Sequence, residues 1–189
     1  MTGVQTCALP IYVNATHENG ETALIVAIRN GHCGVVGALL NHNDGVDVIV
    51  NHSYGRTKAA LIEASLRGHA DVVGALLSHS GIDVNAADKQ VGKTALIWAS
   101  SKGHLGVVRA LLDHDGVDVN AKDKHGVTAV MQAILKGHLD VVSVLLNHEG
   151  VDLNIENDNG DTALIVACKR VTFVQPRLPC VMSDDGLKN

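Results

Sequence analysis

The chain has 189 residues, which is enough for one domain with a substantial core. Aromatic residues make up only 2% of it, so that core must be built from small aliphatic side chains. A net charge of −5 with interspersed signs offers no basic patch for a phosphate backbone, and no apolar run approaches the roughly 20 residues that span a bilayer. Binding to nucleic acid and insertion into a membrane are therefore not expected.

The N-terminal segment MTGVQTCALPI, residues 1–11, contains none of the pattern that fills the rest of the chain. It resembles the translation of a sequencing adapter; the alternative is an authentic but unrelated N-terminus. We expect residues 1–11 to be an artefact or disordered and to take no part in the fold. Tyr12 then begins in the middle of a hairpin, which predicts a fragment of a longer protein.

From residue 12 onward the chain repeats itself. A Gly-His pair recurs at intervals of 37, 35 and 34 residues, followed each time by a Leu-Leu pair and then by Asp-Val-Asn or a near form. The four pairs are Gly31-His32, Gly68-His69, Gly103-His104 and Gly137-His138. A Thr-Ala motif precedes them at Thr22, Thr94 and Thr128, recurs at Thr162, and is replaced by Ala59 in the second unit.

Each unit is predicted to form two short helices and a hairpin-like loop. In the unit that begins at Thr94, the threonine hydroxyl can cap the first helix and Gly103 can end it in the left-handed conformation. The apolar positions of the second helix are Val107, Val108, Leu111 and Leu112. Neither helix is long enough to be stable alone, so each unit must bury its apolar face against the next.

These residues resemble the ankyrin repeat over residues 12–170, where DKHGVTAV (123–130), KGHLDVVSVLL (136–146) and GVDLN (150–154) follow the family pattern in order. The resemblance implies an all-α solenoid of stacked helix-turn-helix units with β-hairpin-like loops, with four full repeats and partial ends. Ala replaces the usual Pro after Thr, and Ile or Met replaces the His two residues later. The insertions, a longer loop at 41–58 and an extra residue at 88–94, fall in loops and leave the helix stack intact.

The pattern fails at the C-terminal tail, residues 171–189. Val171 and Thr172 stand where Gly-His is expected, and Pro176 and Pro179 fall where the second helix would run. Proline inside a helix costs about 3 kcal/mol, so we expect this tail to be poorly ordered. A frameshift or splice artefact and a genuinely divergent terminus both explain it.

No catalytic, cofactor or metal site is predicted. The regular histidines are spaced too widely to chelate an ion, and we expect them to bond backbone between repeats. The sequence VGKT (91–94) lacks the first glycine of a phosphate-binding loop, and no serine, cysteine or aspartate has a fixed base partner. Asp47, Asp83, Asp118 and Asp152 are predicted to hold turns. The four cysteines share no CxxC spacing, which favours an intracellular, cytoplasmic setting.

Function is expected at the positions that differ between units, because symmetric positions hold the stack together. The ankyrin resemblance implies a concave face made of hairpin tips and first helices. The first row on this face is Val26, Glu63, Trp98, Gln132 and Val166. The second row is Arg29, Leu66, Ser101, Leu135 and Lys169. The tips carry His17 and Glu18, Tyr54 and Arg56, Lys89 and Gln90, Lys124 and His125, and Asn157 and Asp158.

Trp98 is the only tryptophan in the chain, and tryptophan is enriched among residues that dominate binding energy. It is either a partner-binding anchor or a side chain that merely packs over a neighbouring helix. The predicted partner-binding residues are Glu63, Leu66, Trp98, Ser101, Gln132, Leu135, Tyr54, Arg56, Lys89, Lys124 and His125.

The expected function is that of a monomeric protein–protein interaction scaffold without catalysis, which binds an unidentified protein. One alternative is the targeting segment of a larger enzyme or channel whose catalytic domain lies outside this sequence, and another is a purely mechanical spacer.

Overall fold

The structure is a computed structural model that describes residues 15–18, 21–41, 49–52, 56–79 and 82–174, with only the backbone described at 49–52, 56–59 and 171–174. In chain order its elements are α1 (Ala23–Arg29), α2 (Cys33–Leu40), β1 (Ile49–His52), β2 (Arg56–Ala59), α3 (Ala60–Arg67), α4 (Ala70–Leu77), α5 (Ala95–Lys102), α6 (Leu105–Leu112), α7 (Ala129–Lys136), α8 (Leu139–Leu146) and α9 (Ala163–Val174).

The first helices of the repeats begin and end where the sequence predicts. The hydroxyl oxygens of Thr22, Thr94 and Thr128 accept hydrogen bonds from the backbone N–H three residues later, at 3.3, 3.4 and 3.5 Å. Gly103 and Gly137 end α5 and α7 in the left-handed conformation, with φ of 75° and 81°. The predicted capping signals are therefore confirmed.

The helices form two layers. First helices α1, α3, α5, α7 and α9 pack in order against one another, and second helices α2, α4, α6 and α8 form a parallel series. Ala64, Ala99 and Ala133 are completely buried at the same position of successive first helices, where a small side chain permits close approach of the helix axes. Each helix thus packs against its counterpart in a neighbouring repeat, as the stacked arrangement requires.

The insertion before the third helix forms an antiparallel two-stranded sheet. Strands β1 and β2 pair with Ile49 opposite Ala59 and His52 opposite Arg56. β2 leads directly into α3. The extra residues are therefore accommodated in the hairpin, outside the helix layers.

The repeats are joined by what we call the Gly-His seam, in which a histidine ring lies on the glycine of the preceding repeat. Nε2 of His69 bonds to the carbonyl of Arg29 at 3.1 Å, and Nε2 of His104 bonds to that of Leu66 at 3.1 Å. Nε2 of His138 bonds in the same way to the carbonyl of Ser101 at 3.3 Å. A carbonyl can only accept, so each Nε2 carries the proton. The predicted backbone role of these histidines is confirmed.

The histidines that follow the Leu-Leu pairs form a second set, namely His42, His79, His114 and His148. Nδ1 of His114 and of His148 is buried, and neither has a hydrogen-bond partner within the described ranges. His42, the first member of the set, lies outside the described residues. Among the described residues, the bonds of the Gly-His seam are made by His69, His104 and His138, and Nδ1 of His114 and of His148 makes no such bond.

Asparagines at the unit ends add a second set of bonds between repeats. Asn120 donates from Nδ2 to the carbonyl of Gly150 at 2.7 Å and accepts from the N–H of Asp152 at 2.9 Å. Asn85 makes the same pair of bonds to Gly116 and Asp118, each 2.8 Å long. The predicted turn-holding aspartates are also seen, because Oδ1 of Asp83, Asp118 and Asp152 each accepts a backbone N–H two residues later; Asp47 lies outside the described residues.

The last helix differs from the other first helices. It runs from Ala163 to Val174, twelve residues where the complete first helices α3, α5 and α7 have eight. Val171 stands where those helices meet a left-handed glycine, so nothing stops the helix there. The helix thus crosses the expected boundary at residue 170, while residues 1–11 and 175–189 lie outside the described ranges.

Candidate partner-binding surface

The hairpin tips of the last three repeats are held by aspartate or asparagine side chains. Oδ1 of Asp123 accepts from the N–H groups of His125 and Val127 at 2.9 and 3.0 Å. Asp88 and Asn157 do the same in the neighbouring tips. These local bonds fix the tip conformation, which leaves Lys89, Lys124 and His125 exposed at its end.

The tips are also bonded to one another. The N–H of Lys124 donates to the carbonyl of Val91 at 3.0 Å, and its Nζ donates to the carbonyl of Lys89 at 2.6 Å. The N–H of Asp158 donates to the carbonyl of His125 at 3.1 Å. The structure therefore brings the predicted tip residues Lys89, Lys124 and His125 into one continuous edge.

Trp98 lies half-buried on α5 beside this edge. The Nζ of Lys93 stands 5.0 Å from the centroid of its ring, which is a cation–π distance. Burial lowers the pKa of Lys93, and this effect outweighs the nearby carboxylates of Asp123 and Asp88, which raise it. The result is an aromatic side chain with a partly desolvated ammonium stacked on it.

Lys93 was considered in the sequence only as part of VGKT (91–94) and was not predicted to lie at this surface. It stands directly before the Thr-Ala motif, at a position that is Glu21, Val127 and Asp161 in other repeats. That variation was a usable signal. The five-residue separation from Trp98 across a helix start gave no indication that the two side chains would meet.

The two leucines among the predicted partner-binding residues lie on the helices that pack against α5. Leu66 is half-buried on α3, and its carbonyl accepts the bond from His104. Leu135, on α7, has 48% of its surface exposed. Both leucines thus remain available for apolar contact.

Three of the predicted contact residues are buried, which corrects their placement on the exposed face. Glu63 is 4% exposed, and its Oε1 accepts from Nε of Arg67 at 3.0 Å. Gln132 is 7% exposed and donates from Nε2 to Oδ2 of Asp123 at 3.4 Å. Ser101 is 8% exposed, and its own backbone carbonyl accepts the hydrogen bond from Nε2 of His138. At the positions of Glu63 and Gln132, the residue type thus goes with a different internal partner.

The remaining predicted tip residues fall in the hairpin of the second repeat. Tyr54 lies outside the described residues, and Arg56 is described only as the first backbone position of β2. Their membership of the surface stays a prediction.

The residues at the ends of the two rows differ in exposure and in ion pairing. In the first row, Val26 is 42% exposed whereas Val166 is 4% exposed. In the second row, Arg29 pairs with Glu21 and Lys169 pairs with Asp161, each carboxylate lying eight residues earlier. Of the four end residues, Val26 is therefore the exposed apolar one, while Arg29 and Lys169 are engaged in ion pairs.

The described surface offers side chains for noncovalent contact. Within the described ranges, no group of three or more His, Cys, Asp or Glu side chains is placed to hold a metal ion. None of the helices described is both long and apolar enough to cross a bilayer. The features that the surface does carry are rigid tips, surface lysines and one partly exposed tryptophan.

Comparison with known proteins places the repeat in a known class. A family model described as "Ankyrin repeats (3 copies)" matches residues 4–88, 51–123, 85–157 and 116–175. The chain is also similar to a solved structure titled "Crystal structure of the ankyrin repeat domain of Bcl-3: a unique member of the IkappaB protein family". That match has a TM-score of 0.73 and 31% sequence identity, and it covers 82% of this chain and 67% of that chain. No curated protein matches the chain.

Proposed function

The chain belongs to the ankyrin-repeat family, whose repeats are non-catalytic interaction modules, and we propose that it is a scaffold that binds a partner protein. The proposed binding surface consists of the tip residues Lys89, Lys124 and His125 together with Trp98, Leu66 and Leu135 on the first helices. Repeat arrays present such surfaces on the concave side of the stack. We further propose that the array acts as a monomer.

The observation that carries this proposal is the half-buried Trp98 with Lys93 stacked on its ring. A tryptophan held at its base by packing loses little conformational entropy on binding and supplies a large contact area. The lysine ammonium stands over the ring at 5.0 Å from its centroid, a contact that favours one orientation of the side chain. Such a preorganised aromatic side chain is typical of a binding anchor.

The charges around the anchor favour a partner with acidic groups. Lys89 and Lys124 are exposed at the adjacent tips, and Lys93 lies on the anchor itself. The fifth repeat has the opposite sign, with Glu156 and Asp158 exposed. We therefore propose a partner that offers an apolar pocket rimmed by carboxylates to the middle of the array. Exposed charges of this kind act mainly on the association rate and its salt dependence.

The test compares Trp98→Ala with Val26→Ala, the equivalent first-row position of the first repeat. We expect Trp98→Ala to weaken binding to proteins recovered from cell lysate by about 2 kcal/mol or more, whereas Val26→Ala changes it by less than about 0.5 kcal/mol. Quantitative mass spectrometry identifies the retained proteins, and titration calorimetry with the recovered partner measures the affinity. Circular dichroism should show the same helical content for all three proteins.

The opposite outcome separates the two readings of Trp98. A large loss of thermal stability with unchanged affinity would assign Trp98 to the core. The absence of any selectively retained protein would favour the spacer. A targeting segment of an enzyme or channel would use the same surface, and the identity of the recovered partner distinguishes it from an independent scaffold.

A further inference from the structure

A second surface lies on the opposite layer, at the last repeat. It is an apolar groove of about 520 Å³ between α7, α8 and α9. Leu139, Val142 and Leu146 of α8 line one side, and Leu164 and Ala167 of α9 line the other. We call this the α8–α9 groove.

The other repeats show what this groove is shaped to receive. Leu164 of the fifth repeat is 72% exposed, whereas its equivalents Leu24, Leu61, Leu96 and Val130 are 1%, 1%, 2% and 4% exposed. Those four are covered by the second helix of their own repeat, since α1 packs on α2, α3 on α4, α5 on α6 and α7 on α8. In the fifth repeat α9 runs straight on to Val174, and no second helix follows within the described residues.

The α8 side of the groove gives the same result. Leu146 is 48% exposed and Leu139 is 77% exposed, while their equivalents in α6, Leu112 and Leu105, are partly buried. The earlier second helices are each covered by the next one, in the contacts of α2 with α4, α4 with α6, and α6 with α8. The groove is therefore the continuation of an interface that the chain already makes three times.

The seam position beside the groove is already filled by the chain itself. Nη1 of Arg170 donates to the carbonyl of Ile134, and its guanidinium lies over Gly137, where histidine lies over glycine in the other repeats. An incoming helix thus needs no Gly-His of its own. It needs only an apolar face that fits the groove.

We propose that the α8–α9 groove binds a single amphipathic helix of a partner protein, with the pattern Val-Val-x-x-Leu-Leu or a close aliphatic equivalent. This pattern is the one that covers the equivalent surfaces inside the array, as Val107, Val108, Leu111 and Leu112 of α6. Two adjacent β-branched residues followed by two leucines place four aliphatic side chains on one side of two helical turns. The proposal concerns a site distinct from the Trp98 surface and does not depend on it.

The probe is a fluorescent peptide with the sequence of residues 103–115, GHLGVVRALLDHD. A staple joins positions 109 and 113, both exposed in the structure, because a helix this short is not stable alone. Fluorescence polarisation against the full chain should show saturable binding. The same stapled peptide carrying Val107→Ser and Leu111→Ser should bind at least about tenfold more weakly, a loss of about 1.4 kcal/mol.

Variants of the full chain locate the site. Leu146→Glu and Leu164→Glu place a charge in the groove and should each weaken peptide binding at least about tenfold. Val35→Glu is the matched control, since Val35 is 50% exposed on a second helix at the other end of the stack. It should leave the affinity within about twofold. All three substituted positions are exposed, and circular dichroism with urea unfolding checks that the variants remain folded.

Three results would overturn the proposal. One is no saturable binding of the unmodified stapled peptide at concentrations up to about 1 mM. Another is binding that all three glutamate variants weaken equally. The third is self-association of the wild-type chain, seen by light scattering and abolished by Leu146→Glu, which would identify a second copy as the occupant. None of these results affects binding at Trp98, so failure here leaves the proposed partner binding standing; self-association would overturn only the proposed monomeric state.

Discussion

The Gly-His seam contains hydrogen bonds between neighbouring repeats, whereas the first row of the first helices contains interactions within a single repeat. At the seam, the histidine of one repeat bonds to the backbone of the previous one, as His104 does to Leu66. In the first row, three side chains have a partner inside their own repeat: Glu63 with Arg67, Trp98 with Lys93, and Gln132 with Asp123. The same helices thus carry one set of interactions that joins repeats and another that does not.

This difference separates stability from recognition. A stack of short units owes its cooperativity to the interfaces between neighbours. Changes at the seam should therefore destabilise the whole array, while changes in the first row should remain local. The row can vary between repeats for that reason, as the proposed contact role of Trp98 requires.

The largest loss of stability is expected at Gly103, where the histidine ring of the next repeat lies closest to the glycine. Gly103 has φ of 75°, and a Cβ added there would stand 2.5 Å from Nδ1 of His138. Gly103→Ala should reduce the free energy of unfolding by about 3 kcal/mol, because backbone strain adds to displacement of the ring from its carbonyl acceptor. Urea unfolding followed by circular dichroism measures the change.

Gly116→Ala is the matched control for that variant. Gly116 has φ of 90°, but a Cβ there would have no neighbour within 4 Å. Only the backbone strain of about 1 kcal/mol is expected. Equal losses for the two variants would mean that the histidine contact adds nothing, and the distinction between seam and row would fail.

An intermediate effect is expected at the asparagines. Asn120→Ala removes two hydrogen bonds to the next repeat and should cost about 1 kcal/mol. Asn154 occupies the same position one repeat later, but its side-chain bond stays within its own turn, so Asn154→Ala should cost less than about 0.5 kcal/mol. Chemical unfolding of both variants gives the comparison. A cost for Asn154→Ala as large as that for Asn120→Ala would contradict the importance of bonds between repeats.

The regular part of this architecture could be predicted from the sequence because each unit carries the same local signals. Threonine before an apolar run caps a helix, glycine ends one, and a histidine repeated at every junction indicates a structural bond. Thr94, Gly103 and His104 all act as expected. Loop insertions did not disturb this result, since loops lie outside the helix layers.

The irregular part depended on contacts that no local signal specifies. Gln132 was expected on the surface, but the carboxylate of Asp123, nine residues earlier, accepts its hydrogen bond inside the repeat. Arg170 gave no sign that its guanidinium would take the place of a histidine over Gly137. Such substitutions of one interaction for another become visible only when the neighbouring repeats are in place.

The smallest effect is expected at Lys93, inside the row. Burial lowers the pKa of Lys93, so its folded-state value lies below the ordinary lysine value of about 10.4. In the pH interval between the two values the unfolded chain binds more protons, and the free energy of unfolding must rise with pH there.

Lys93→Met has no proton to release, and Lys93→Arg keeps its charge throughout. Wild type should therefore gain stability relative to both variants as pH rises through the interval just below the ordinary lysine pKa, as measured by urea unfolding at each pH. A constant difference, or a gain by the variants, would show that the ammonium on Trp98 is as well solvated as a free lysine, and the anchor would lose the rigid support on which its role depends.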